Sequence, residues 1–176
     1  VLGNPSSYVL RSLKRSLKTL EKEIKQLESK LTEIVREEHQ DLLTRLETIP
    51  GLGRKTSIML IVLTDGFNRF EKAGELCSYA GLTPVIRQSG SSIRGQARIS
   101  KMGNGKLRNL LFMCSFTACQ HNKACREIYE RITAKGKSKK SALMAVCNKL
   151  LKQAFAIAES GLVYDENFRS TNPSLK

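Results

Sequence analysis

Leu10, Leu13, Leu17, Leu20, Ile24, Leu27, Leu31 and Ile34 follow one another at intervals of three, four, three, four, three, four and three residues, an a/d heptad seam held over more than three repeats. An apolar spacing that averages 3.5 residues keeps one stripe of a helix turned toward a neighbour, so it commits the segment to left-handed pairing with another helix. Flanks rich in Lys and Glu keep the other faces solvated. Leu at most seam positions does not fix the number of strands. A homodimer or tetramer is expected, an antiparallel partner inside the same full-length chain is the alternative, and a long helix folded back on its own domain is the plain reading. Residues 1–40 are assigned to this coiled-coil segment.

The next stretch reads as helix, tight turn, helix. Leu42, Leu43, Leu46 and Ile49 give an apolar face, Pro50-Gly-Leu-Gly53 breaks it, and an apolar body resumes from Arg54 to Thr64. Such a hairpin is helix-hairpin-helix-like: Gly51 and Gly53 let a backbone come close, and amides at the start of the second helix can take a phosphate, with Arg54, Lys55 and Thr56 reinforcing the contact. The same residues also fit a plain αα corner.

Beyond it a short helix is expected over 72–79, then an extended loop or loose hairpin over 83–98, where Pro84, Val85, Ile86, Ser89, Gly90, Ser91 and Ser92 lie. Helices are expected over 106–120 after Asn104, over 123–134 after Asn122, and over 138–160, the last with a core stripe from Leu143 to Ala158 and Gly161 at its end. The fold class is therefore mainly α: a long amino-terminal coiled-coil helix, then a compact helical domain over 41–168 carrying one extended Ser/Gly/Arg loop, then a tail over 169–176 expected to be disordered.

Charge narrows the partners. Thirty Lys and Arg against sixteen Asp and Glu give a formal net charge of +14, and a pI near 9.8 is that of a nucleic-acid binder. No acid occurs from Leu76 to Arg126, while Arg87, Arg94, Arg98, Lys101, Lys106, Arg108, Lys123 and Arg126 do, so the positive field there is uncancelled and suits a polyanion. A solvated basic face is the bland alternative. No apolar run reaches the roughly 18 residues a membrane span needs, and a soluble, cytoplasmic protein is expected. Cys77, Cys114, Cys119, Cys125 and Cys147 show no Cys-x-x-Cys spacing; small buried thiols fit them better than a zinc site of Cys114, Cys119, His121 and Cys125.

The loop combines hydroxyls with guanidinium groups. Arg87, Arg94, Arg98 and Lys101 can hold the non-bridging oxygens of a phosphodiester and stabilise charge in an in-line displacement, and a serine among them can serve as nucleophile. Ser89, Ser91 and Ser92 compete for that role. Gly90 favours Ser89 slightly, because it lets the chain turn sharply just after it.

The order Ile49-Pro-Gly-Leu-Gly53, Phe67-Asn-Arg-Phe70, Tyr79-Ala-Gly-Leu-Thr-Pro84, Gln88-Ser-Gly90, Arg98-Ile-Ser-Lys-Met-Gly-Asn104 and Leu107-Arg108 resembles the carboxy-terminal transposase domain of the DEDD-type insertion-sequence transposases, the bridge-RNA-guided serine recombinase family. The likeness covers about residues 41–168. It implies a DNA transposase or recombinase that cleaves and transfers strands through a phosphoserine intermediate, with Ser89 as nucleophile and Ser91 and Ser92 as loop or phosphate contacts. It implies DNA, and in such proteins a guide RNA, as partners. It also implies a composite site, completed by a resolvase-like domain whose acidic tetrad binds divalent metal such as Mg. That tetrad is absent from this sequence, so the chain is expected to be a fragment that holds no catalytic metal and is inactive alone. The contrasting reading is a non-catalytic helix-hairpin-helix module that binds nucleic acid and dimerises.

Overall fold

The computed structural model describes residues 6–85, 88–89, 93–94, 98–100 and 102–168. The expected tail at 169–176 lies outside them. Among the described residues the fold is mainly helical, with short paired strands between the third and fourth helices.

The chain forms two compact units, residues 1–38 and 39–176. Helix α1 runs from Ser7 to Glu47, with His39 departing from helical geometry (φ −135°, ψ 32°). In the first unit the heptad seam is open to solvent: Leu10, Leu13, Leu17, Leu20, Ile24, Leu27 and Ile34 are each 40–70% exposed.

The second unit has a continuous apolar core. The end of α1 contributes Leu42, Leu43 and Leu46; α2 (Arg54–Thr64) contributes Ile58, Leu60 and Ile61. After α3 (Ala73–Tyr79) and the strands come α4 (Gly105–His121), α5 (Lys123–Ala134) and α6 (Lys139–Ser160). Helix α6 packs against α3, α4 and α5, burying Val146, Cys147, Leu150, Leu151 and Ala154 completely. Local chemistry sets the helix ends. Asn104, Asn122 and Ser138 each accept a hydrogen bond from a first-turn amide, of Leu107, Cys125 and Ser141, relieving one of the unpaired donors at a helix start. Gly161 closes α6 in the left-handed region.

The stretch expected as an extended loop or loose hairpin pairs antiparallel in two short ladders. Strand β1 (Pro84–Val85) pairs with β4 (Arg98–Ile99), Pro84 opposite Ile99. Strand β2 (Gln88–Ser89) pairs with β3 (Ile93–Arg94), Ser89 opposite Ile93. No described helix is long and apolar enough to cross a membrane.

Candidate nucleic-acid interface

The hairpin bearing Ser89 rises from a base held by side chains and backbone that converge on Tyr79, Ala80 and Gly81. Phe70 packs on the Tyr79 ring at 5.4 Å, and the Arg69 guanidinium lies over the same ring at 5.8 Å while its Nη1 donates to Leu63 O. From the other side, the Asn104 amide donates to Tyr79 O at 2.7 Å and its side-chain Nδ2 to the Tyr79 hydroxyl at 3.2 Å. Gly103, at φ +136°, allows this close approach, since a Cβ there would strike the Tyr79 carbonyl oxygen. Arg108 Nη1 donates to Ala80 O at 2.9 Å. The strands leave from this clasp, secured by Ser100 N donating to Thr83 O at 3.0 Å and by a 2.9 Å bond between the hydroxyls of Ser78 and Thr83. Asn148 of α6 reaches Leu82 O at 3.5 Å.

Arg108, expected to contact phosphate, is half-buried, with Nη1 donating to a backbone carbonyl. Lys106, two residues earlier at the start of α4, is exposed. Ser89, Arg94 and Arg98 lie on the paired strands, where the backbone sets their sequence register. Arg87, Ser91, Ser92 and Lys101 fall outside the described residues.

The second set of expected contacts lies at the turn between α1 and α2, where the structure divides the five residues. Gly51 has φ +98°, and a Cβ on it would lie 2.6 Å from Ala118 Cβ and 2.7 Å from Ala118 N. Its smallness serves packing of the turn against α4. Gly53 has φ −81° and caps α2 without a side-chain hydrogen bond, and nothing lies within 4 Å of a Cβ placed there. Arg54 and Lys55 are exposed, with Arg54 Nε 3.8 Å from Glu47 Oε1. Thr56 turns inward: it is 5% exposed and its hydroxyl sits 3.2 Å from Cys114 Sγ. A residue two positions into a helix lies on whichever face the tertiary packing selects, which the charge pattern could not reveal.

Sequence reasoning identified Asn122 only as a cap. It is 1% exposed: Nδ2 donates to Pro50 O at 3.4 Å and to Gln153 Oε1 at 3.0 Å, while Oδ1 accepts from Cys125 N and from the Tyr164 hydroxyl at 3.2 Å. With Tyr164 N donating to Thr48 Oγ1 at 2.9 Å, this network ties the α1–α2 turn to α5, α6 and the segment after α6. Burial pushes the Cys125 and Cys147 thiols up to about 12 and raises those of Cys77 and Cys119, so these sulfurs are protonated packing groups at neutral pH. Among the described residues no group of three or more His, Cys, Asp or Glu is placed to hold a metal ion.

Residues 43–130 match the family model described as the transposase IS116/IS110/IS902 family. The chain is similar to the insertion element IS110 uncharacterized 43.6 kDa protein of Streptomyces coelicolor, 31% identical over 157 residues, covering 89% of this chain and 38% of that protein. It is also similar to the pilin gene-inverting proteins of Moraxella lacunata and Moraxella bovis, each 37% identical over 122 residues, covering 69% of this chain and 38% of those proteins. The chain therefore spans under two fifths of the length of these curated relatives.

Proposed function

Because the chain belongs to the transposase IS116/IS110/IS902 family, we propose that it is the nucleophile-bearing part of an enzyme that recombines mobile DNA, with Ser89 as the attacking residue. The Ser89 hydroxyl loses its proton and its Oγ forms an ester with the scissile phosphorus, while the phosphorus–oxygen bond to one DNA strand end breaks and that end leaves as a hydroxyl. A strand-end hydroxyl then attacks the same phosphorus, rejoining DNA and returning the serine. The positive groups of the acid-free stretch, Arg87, Arg94, Arg98 and Lys101, neutralise the phosphate as charge develops. Exposed Lys106, Arg54 and Lys55 and the open start of α2 at Gly53 grip flanking backbone. A Mg-binding acidic domain would supply the rest of the site, since among the described residues of this chain no group of His, Cys, Asp or Glu is placed to hold a metal. DNA is the substrate, guide RNA a further partner, the heptad seam joins copies of the protein, and the reaction belongs in the cytoplasm.

The clasp on Tyr79 is the observation that carries this reading. Phe67-Asn-Arg-Phe70, Tyr79-Ala-Gly-Leu-Thr-Pro84, Arg98-Ile-Ser-Lys-Met-Gly-Asn104 and Leu107-Arg108 are among the motifs of the resemblance, and Phe70, Arg69, Tyr79, Asn104 and Arg108 from them meet at the base of the hairpin bearing Ser89. A fold that spends these motifs on fixing one hairpin suits a residue whose position matters. In the full-length protein, Ser89→Ala should abolish strand exchange and leave DNA binding intact; retained exchange would reject Ser89, and with it the choice over a purely binding module.

A further inference from the structure

From the seam and the charges beside it, we infer that two copies of this chain pair through residues 10–34 in antiparallel orientation, Leu13 of each opposite Leu31 of the other. The inference rests on the reading that the seam joins copies and deepens it by fixing direction and register.

The seam residues occupy a positions at Leu10, Leu17, Ile24 and Leu31, and d positions at Leu13, Leu20, Leu27 and Ile34. Seven of the eight are exposed in the single chain and Leu31 is half-buried, so burial of the stripe awaits a partner. Two-stranded parallel coils favour β-branched residues at a and Leu at d. Here Leu holds three of the four a positions, so the packing preference for parallel pairing is missing.

Charge then separates the two directions. The e positions are Lys14, Glu21, Glu28 and Val35, and the g positions include Ser16, Glu23, Lys30 and Glu37. In a parallel in-register pair each g residue meets the e residue five positions later on the partner. That brings Glu23 to the partner's Glu28 twice, and it pairs Lys14 and Lys30 with Val9 and Val35, so no opposite charges meet. Reversing one helix matches e with e and g with g. With the seam fully overlapped, Lys14 meets the partner's Glu28 twice, and Lys30 lies beside the partner's Ser16. Glu21 and Glu23 each approach their own copies once near the two-fold axis at Lys22. Both directions bring two like-charged pairs together, and only the antiparallel one adds two opposite-charged pairs. It also opposes the two helix dipoles. The full-overlap register covers all eight seam residues, whereas a slip of one heptad leaves two on each chain exposed.

Two measurements on the 176-residue chain test this. Leu13→Cys and Leu31→Cys are oxidised separately and as a mixture, with the unsubstituted chain as control for its native thiols. The expected cross-linked dimer forms only in the mixture. Cross-linking of either variant alone, or a dimer that cross-links in neither case, overturns the orientation and register. Glu28→Lys, an exposed substitution that spares the seam, is then compared by sedimentation. Antiparallel pairing places the new lysine against the partner's Lys14 and raises the dimer dissociation constant, and Lys14→Glu in the same chain restores it. Parallel pairing relieves the Glu23 contact, so a lowered constant contradicts the inference. A chain monomeric throughout removes instead the reading that the seam joins copies.

Discussion

Gly51→Ala and Gly53→Ala differ by two positions in one turn and should behave oppositely. At Gly51 the backbone sits at φ +98°, where an L side chain costs on the order of 1–2 kcal/mol. The new methyl would also lie 2.6–2.7 Å from three atoms of Ala118, two of them backbone, so α4 must shift, an overpacking cost of about 1–3 kcal/mol. Together these give about 2–5 kcal/mol, a large share of the roughly 5–15 kcal/mol that keeps a domain folded, and a drop in Tm of order 10 °C. At Gly53 φ is −81° and the added methyl meets nothing within 4 Å. The small losses and gains of replacing a cap glycine nearly cancel there, and stability should change by less than about 1 kcal/mol. Urea unfolding followed by circular dichroism, with matching m values, reads both. Stability of Gly51→Ala within about 0.5 kcal/mol of the parent would refute the packing role given to that glycine. If α2 presents its start to a phosphate, Gly53→Ala should weaken duplex binding while the unfolding midpoint stays put.

Arg108→Ala should lower stability by about 1–3 kcal/mol, because it removes a half-buried donor to Ala80 O, and it should leave the salt dependence of DNA binding unchanged; Lys106→Ala should do the reverse, reducing the slope of log affinity against log salt by about 0.9. Asn122→Ala removes a cap and strands partners at Pro50, Gln153 and Tyr164, a loss of about 2–4 kcal/mol by chemical denaturation, with a neutral result sinking the hub assignment. Cys125 and Cys147 have thiols raised to about 12 in the fold, whereas an unfolded thiol ionises near about 8.5. Their neutral burial therefore contributes fully below pH of about 8.5 and is lost as pH rises toward 12, by up to about 1.4 kcal/mol per thiol per pH unit; Cys125→Ser with Cys147→Ala should flatten that alkaline slope.

Sequence alone yielded what local chemistry controls. The ends of α4, α5 and α6 follow from Asn104, Asn122, Ser138 and Gly161, each recognisable beside an apolar run, and α2 runs over the Arg54–Thr64 stretch that the hairpin reading gave it. What escaped depends on which distant residue a side chain meets. The partners that the fold gives Arg108 and Thr56, a carbonyl 28 residues back and a thiol 58 residues on, are not written in the local sequence. Tyr79 was one letter in a motif until folding set Phe70, Arg69, Gly103 and Asn104 around it. The paired strands of the hairpin were legible only as an extended stretch, because ladders two residues long leave no period to read.

Covalent capture tests the central claim most directly. The full-length protein is incubated with its recombining DNA and quenched in denaturant, and the peptide carrying DNA-derived phosphate is sequenced by mass spectrometry. The account predicts an adduct on Ser89 that disappears in Ser89→Ala and persists in Ser91→Ala and Ser92→Ala. An adduct on another residue, or recombination that proceeds with Ser89 replaced, would contradict it.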